Sequence, residues 1–183
     1  LIDPQTFRIA KMNSYDDVLY PKVIDLKMQS PNLKVYIAVG GWAAGGQVFS
    51  DMVSSASNRR AFIDSSISFC KTHGFDGIDI DWEYPVADDR GGQKADYVNY
   101  VIFMKELREA GKGLGVTLTL PNSYWYLQGF DVKGLEEQVD WFNIMSYDIH
   151  GTWDGANRYV ARFYAHATLT PPQTHAQRNK SAY

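Results

Sequence analysis

Cysteine is nearly missing from this chain: Cys70 is the single one among 183 residues, so no disulfide can form within it. An excess of one charge is missing too. Eighteen Lys and Arg stand against 21 Asp and Glu, a net charge of −3 with neither sign gathered into a long block, which argues against nucleic acid or a membrane surface as a partner held by bulk charge. No run of about 18 apolar residues is present, so no bilayer-spanning helix is expected. The glycine-rich stretch Gly40-Gly41-Trp42-Ala43-Ala44-Gly45-Gly46 lacks the G-x-G-x-x-G spacing and a following Lys-Ser/Thr, so neither a dinucleotide crevice nor a P-loop is expected. What the chain has in quantity is aromatic side chains: 9 Phe, 5 Trp and 12 Tyr, or 14%. Aromatics fill cores first, but Tyr and Trp also offer flat amphipathic faces to ligands.

A chain of this length, 45% hydrophobic, suits one medium-sized domain that buries a core without staples. Leu33 to Val39 is a β-branched and aromatic run stopped by Gly40-Gly41, the pattern of a buried strand ending in a tight turn. Asn58 to His73 carries a helical period, with Asn58 as N-cap and Gly74 just past the end. Strands are expected again at Phe75 to Glu83, Leu114 to Leu120 and Trp141 to Tyr147. Between them lie an amphipathic helix from Ala95 to Ala110, with the stripe Tyr97, Tyr100, Val101, Met104, Leu107 and Arg108, and a short helix near Leu135 to Val139. Leu1-Ile2-Asp3-Pro4 reads as the tail of a further strand, and the polar stretch Thr170 to Lys180 as disordered or foreign to the fold. Alternating strands and helices imply βαβ units and a parallel sheet covered on both faces. The rhythm fits either a doubly wound sheet or an eight-unit barrel, and the nucleotide signals of the former are missing.

The most informative stretch is Asp76-Gly77-Ile78-Asp79-Ile80-Asp81-Trp82-Glu83-Tyr84-Pro85. Side chains alternate along a strand, so Asp79, Asp81 and Glu83 share one face, and Ile78, Ile80 and Trp82 the other. Neighbouring acids are about 6.6–6.8 Å apart along the strand. In a partly dry site they cannot all stay ionised, so at least one is expected to hold a proton near neutral pH, and a protonated carboxyl is a general acid. Inside a barrel the acids point inward and Glu83 reaches the rim where barrel active sites lie. A calcium loop does not fit, because Tyr84 and Arg90 stand where Gly and Glu are required. A magnesium site of the nuclease kind stays open on these residues, although no basic cluster accompanies it.

Asp76-x-x-Asp79-x-Asp81-x-Glu83 with Tyr84-Pro85 resembles the signature of the family 18 glycoside hydrolases, the chitinases, most of all the large fungal ones. Val39-Gly40-Gly41-Trp42 is similar to the family's S-x-G-G turn and Met145-Ser146-Tyr147-Asp148 to its M-x-Y-D strand end. The resemblance covers roughly residues 1–157, taken as a partial catalytic domain, and leaves 158–183 as a tail of uncertain kinship. It implies a (β/α)8 TIM barrel, incomplete here: the chain accommodates about five βα units, whereas a barrel typically takes about 250 residues. It further implies substrate-assisted, retaining hydrolysis of β-1,4-linked N-acetylglucosamine. In that scheme Glu83 protonates the leaving oxygen and later activates water. Asp81 orients the acetamido group and Asp79 shares a proton with it. Tyr147 binds the acetamido oxygen, Met145 and Asp148 line the same subsite, and Gly40 and Asp76 are structural. No cofactor or metal is implied. The partner is chitin or chitooligosaccharide, and the place extracellular or in the cell wall.

On this reading Gly41, Trp42, Tyr84 and Trp153 belong to the sugar groove, with the three aromatics as stacking platforms, and Tyr124-Trp125-Tyr126 extends it. Trp82 and Trp141 are assigned to the core, Cys70 to an inert buried thiol, and His73 and His150 to structural or solvated positions. Ala38 stands where the family often has Ser, which removes a hydroxyl from beside Asp79. Competing readings are a chitin-binding lectin on the same scaffold, which has no need of Glu83, an inactive fragment, and an endo-β-N-acetylglucosaminidase.

Overall fold

The computed structural model describes residues 1–149. Trp153, His150 and the tail 158–183 lie outside the described residues. Four strands, β1 (Tyr36–Gly40), β2 (Gly77–Asp81), β3 (Gly115–Pro121) and β4 (Trp141–Met145), form one parallel sheet in the order β1-β2-β3-β4. Chain order and spatial order agree throughout. A doubly wound sheet reverses its strand order at a switch point, and a barrel does not, so the topology separates the two architectures that the rhythm of the sequence left together. Ile2 does not join this sheet; it pairs antiparallel with Ile9 across the turn at Pro4 to Thr6.

The two faces of the sheet differ in chemistry. Val39, Ile78, Ile80, Val116, Leu118 and Leu120 point to one side and are buried beneath helices α2 (Gln47–Val53), α3 (Ala56–His73) and α4 (Asp96–Ala110). Aromatic rings knit that layer: Phe49 stacks on Trp82 at 5.5 Å between centroids, Trp82 meets Tyr100 edge-on at 4.9 Å, and Phe62 meets Phe103 at 5.5 Å. The opposite face carries Ala38, Asp79, Asp81, Thr117, Thr119 and Asn143. At its lower end the Tyr36 ring lies flat over β2 and β3. A Cβ at Gly77 or Gly115 would come within 2.1 or 2.0 Å of that side chain, so any larger residue at either position would have to displace the Tyr36 ring. The ring then meets Trp141 at 5.3 Å.

Trp141 is therefore not the core residue expected. It is 49% exposed, because the β3–β4 register sets Trp141 beside Thr117 and places it on the face of Asp79. A one-residue difference in strand register exchanges the two faces. Trp82, 1% exposed, is core as expected.

The helices follow the sequence with local shifts. Ser55, not Asn58, caps α3, its hydroxyl accepting from the Asn58 N–H at 3.2 Å, and Gly74 ends the helix at φ 80°. On α4 the buried stripe is Tyr100, Phe103, Met104 and Leu107, while Tyr97 is 40% exposed. Helix α1 (Asp16–Gln29) was not foreshadowed, since Pro21 interrupts it and Val18, Leu19, Val23, Leu26 and Met28 are all exposed. It is held instead by Tyr20, whose ring packs edge-on against Phe69, His73 and Phe75 at 5.7, 5.2 and 5.3 Å. That contact makes His73 structural. Two short helices, α5 (Tyr124–Leu127) and α6 (Val132–Glu136), connect β3 to β4. Among the described residues no helix is long and apolar enough to cross a membrane.

Phe103→Ala is expected to cost about 3–5 kcal/mol, as for any fully buried ring, and Tyr97→Ala less than about 1 kcal/mol. Urea unfolding of the two variants checks the assignment; equal losses would restore Tyr97 to the buried stripe.

Candidate active site

Strand β2 ends at Asp81, and Glu83 stands two residues past it at the carboxyl edge of the sheet. The alternation holds along the strand: Ile78 and Ile80 are fully buried, Asp79 and Asp81 are half-buried on the other face, and Trp82 returns to the core. Glu83 is 8% exposed. The Glu83–Tyr84 peptide is cis.

Gly40 and Gly41 explain how β1 ends against this acid. A Cβ on Gly40 would come 1.9 Å from the Asp81 carbonyl oxygen, and the residue adopts φ 126°. The Gly41 N–H donates to that same oxygen at 2.8 Å, and a Cβ on Gly41 would meet Asp81 Oδ2 at 3.5 Å. The Gly-Gly turn thus seats the β1 loop directly on Asp81. Asp76, at the other end of β2, is remote from this edge. It accepts from the Val35 N–H at 2.9 Å and pairs with Lys27 at 2.8 Å and Lys34 at 3.6 Å. Burial works against its ionisation, yet the Lys27 hydrogen bond, the Val35 N–H and both lysine charges together hold it below the usual carboxylate range. Its part is structural.

Asp79 is the lowest acid of the site face. Thr117 Oγ1 donates to its Oδ1, Thr119 Oγ1 to Oδ2 at 3.0 Å, and Asn143 Nδ2 to Oδ1 at 2.9 Å. All three donors come from β3 and β4. The hydroxyl that Ala38 lacks on β1 is thus compensated from the opposite side. Asp81 has no such support, and its Oδ1 is buried without a hydrogen-bond partner. Burial, then the neighbouring charges of Glu83 and Asp79, push its carboxyl up to about 6. A carboxyl at about 6 is mostly ionised at pH 7, so Asp81 holds a proton on the mildly acidic side and not at the neutral pH expected of the ladder.

Around the rim, Trp42 is 57% exposed beside the Gly-Gly turn. Tyr84 is not the open platform expected. It is buried, with one face stacked on Tyr126 at 4.1 Å and the Trp42 ring edge-on at 6.5 Å. Burial, and then the neighbouring Glu83 carboxylate, raises its phenol well above the ordinary value. Tyr147, exposed past the end of β4, is raised by burial and then by the charges of Asp81, Glu83 and Asp148. Its carbonyl accepts from Asn122 Nδ2 at 2.6 Å. Met145 is half-buried opposite Pro121, and Asp148, at φ 54°, is exposed. Tyr124 and Trp125 are exposed on α5, and a cavity of about 460 Å³ opens between Trp125, Tyr126 and the loop from Pro85 to Asp89. Cys70 is buried, its thiol pushed up to about 11 by desolvation, which fits an unreactive role. Among the described residues no group of His, Cys, Asp and Glu is placed to hold a metal ion.

Thr117, Thr119, Asn143 and Arg90 belong to this region and were not singled out from the sequence. The threonines left a trace there, since β3 alternates apolar residues with Thr. Arg90 left none, standing in a loop rich in Asp and Gly.

A line of carboxylates climbing to the carboxyl edge of a parallel sheet, with exposed aromatics on the surrounding loops, is the arrangement of a barrel glycosidase. The family model for glycosyl hydrolases family 18 matches residues 2–182, and the chain belongs to that family. Its architecture is the (β/α)8 barrel, of which the described residues form four strands. The endochitinase of Manduca sexta is 42% identical over 135 residues, 71% of this chain and 24% of that protein. Chitotriosidase-1 of Mus musculus is 34% identical over 167 residues, 86% and 36% of the two. The crystal structure of the group IV chitinase of Ostrinia furnacalis, in complex with allosamidin, superposes with a TM-score of 0.78 at 33% identity, covering 84% of this chain and 42% of that one. The chain spans about a quarter of the first of these curated relatives and just over a third of the second.

Because the Asp81 carboxyl is raised in the folded protein, the fold favours its protonated form. Its contribution is thus largest below about pH 4 and lost as pH rises through about 6. Asp81→Asn is expected to gain about 1–3 kcal/mol over the parent at pH 7.5 and nothing at pH 3.5. Thermal unfolding of both at the two pH values checks this; an equal difference at both would separate the effect from ionisation.

Proposed function

We propose that the protein hydrolyses β-1,4-linked N-acetylglucosamine polymers with retention of configuration, through participation of the substrate's own acetamido group. The observation that carries the reading is the graded ladder: a triply hydrogen-bonded Asp79, an Asp81 raised to about 6, and a buried Glu83 at the carboxyl edge. The family supports the chemistry. Glu83 gives its proton to the glycosidic oxygen as the bond to the anomeric carbon breaks. The acetamido carbonyl oxygen bonds to that carbon, forming an oxazolinium ion. Asp81 orients the acetamido group and balances the positive charge, Asp79 standing beneath it. Glu83, now a carboxylate, takes a proton from water as the water opens the ring.

Tyr147 binds the acetamido oxygen, with Met145 and Asp148 beside it, and Trp42 offers its exposed ring to a sugar. Gly41 leaves room next to Asp81, consistent with close approach of substrate. Tyr84, buried and stacked on Tyr126, backs the rim behind Glu83 and offers no open stacking face. Trp153, outside the described residues, is retained as a further platform. Residues 1–157 are taken as the catalytic portion and 158–183 as a separate tail. An extracellular or cell-wall location follows from the substrate, and kinship with the large fungal chitinases rests on the Asp76 to Pro85 stretch. An endo-β-N-acetylglucosaminidase would use the same acids. A lectin would bind through the same groove, but the burial of Glu83 and its charge beside Asp81 favour catalysis, because binding alone requires neither.

With chitotetraose as substrate, Glu83→Gln is expected to lower turnover at least about 10²-fold and to leave binding within about threefold in calorimetry. Turnover retained in that variant would remove the acid role of Glu83. The reaction needs a protonated acid beside Asp81, and Asp81 itself releases its proton near pH 6. Turnover should therefore peak on the mildly acidic side and decline in the alkaline range, and a rate still climbing at pH 9 would contradict the scheme.

A further inference from the structure

The loop after β2 is fixed before its side chains are considered. Asp96, buried at the start of α4, accepts from the Val86 and Gln93 N–H groups at 3.2 and 2.6 Å and from Ser50 Oγ at 2.8 Å. Within the loop, the N–H groups of Arg90 and Gly92 both donate to the Ala87 carbonyl, at 3.0 and 2.8 Å. The β1 loop packs hard against it, since a Cβ on Gly46 would meet the Arg90 carbonyl oxygen at 2.4 Å. Arg90 therefore leaves the main chain from a defined origin.

Its guanidinium makes three contacts at once. Nε donates to the carbonyl of Glu83 at 3.1 Å, Nη2 donates to the carbonyl of Trp42 at 2.6 Å, and the group lies over the Trp42 ring, 3.6 Å from its centroid. One planar cation thus joins the backbone of the acid, the backbone of the rim aromatic and the face of that aromatic ring. It also occupies one face of the indole and leaves the opposite face for a ligand. A lysine ammonium could approach the ring but has no fork to span the two carbonyls while stacking.

We propose that Arg90 is a positioning residue that holds the Glu83 backbone and the Trp42 ring in one rigid unit, fixing the distance between the proton donor and the sugar platform. This rests on the chitinolytic reading of the same site. Displacing an acid by about 1 Å can cost about 10²-fold in rate, and loss of a cation over a ring weakens the platform by a smaller factor. The two carbonyl bonds therefore belong to turnover and the stacking contact to affinity.

The test compares the parent chain with Arg90→Ala, Arg90→Met and Arg90→Lys in hydrolysis and binding of chitotetraose, well below each unfolding midpoint. Arg90→Ala is expected to lower kcat by about 10–100-fold and to raise KM by about threefold or more. Arg90→Lys is expected to recover most of KM and little of kcat. Arg90→Met, which keeps the stem, stands in if the alanine variant fails to fold. A kcat within about twofold of the parent in the lysine and methionine variants would overturn the proposal. So would equal recovery of kcat and KM by lysine, the mark of a merely structural cation. A sugar-independent readout separates this from the functional reading: the Trp42 indole N–H, assigned through Trp42→Phe, should lose heteronuclear NOE intensity in Arg90→Met. If the parent neither binds nor cleaves chitotetraose, the chitinolytic reading falls, and an unchanged NOE would overturn the role of Arg90 independently.

Discussion

Everything at the site depends on how one short strand carries carboxylates on one face while its other face lies in the core. Ile78, Ile80 and Trp82 bind β2 to the helices through a dry contact, and this sets which way Asp79 and Asp81 must point. Ionised groups removed from water need partners. Asp79 finds three, all on strands that follow it in the chain. Asp81 finds none for one of its oxygens and holds a proton more readily instead. The contrast between the two acids, identical in residue type and two positions apart, is therefore a product of the β2–β3–β4 register. A shift of one residue in β3 would turn Thr117 and Thr119 into the helix layer and remove two of the three donors to Asp79.

The acid edge and the loops above it are joined by main-chain contacts more than by side chains. Gly40 and Gly41 lie against the Asp81 carbonyl, the Arg90 side chain reaches the Glu83 and Trp42 carbonyls, and the Asp96 carboxylate gathers N–H groups of the intervening loop. Such contacts fix where a side chain begins without constraining what it is.

Much of this was legible in the residue order, for physical reasons that can be named. Period-two alternation in β2 gave the acid face, the double glycine gave the end of β1, and Gly74 and Ser55 mark where α3 stops and starts, although the cap was three residues earlier than Asn58. Local pattern failed where a tertiary relation decides. Trp141 depends on interstrand register, Tyr84 on the approach of Tyr126 from α5, and α1 on Tyr20, Ile24 and the Lys27–Asp76 pair in place of a full apolar stripe. Arg90 shows the limit most clearly: its contacts lie 7 and 48 positions away in the chain, and nothing in the neighbouring Asp and Gly residues indicates either partner.

The ring of Tyr36 over Gly77 and Gly115 has a consequence for how such a chain can change over time. One side chain supplies the volume for three strands, so the three positions form a single steric unit. A methyl group added at either glycine collides with the ring, and a smaller residue at position 36 opens a gap over both. A change at any one of the three is therefore met by movement at the others. The sheet is thus constrained at both ends, by a side chain at the floor and by main chain at the carboxyl edge, where Gly40 lies against the Asp81 carbonyl.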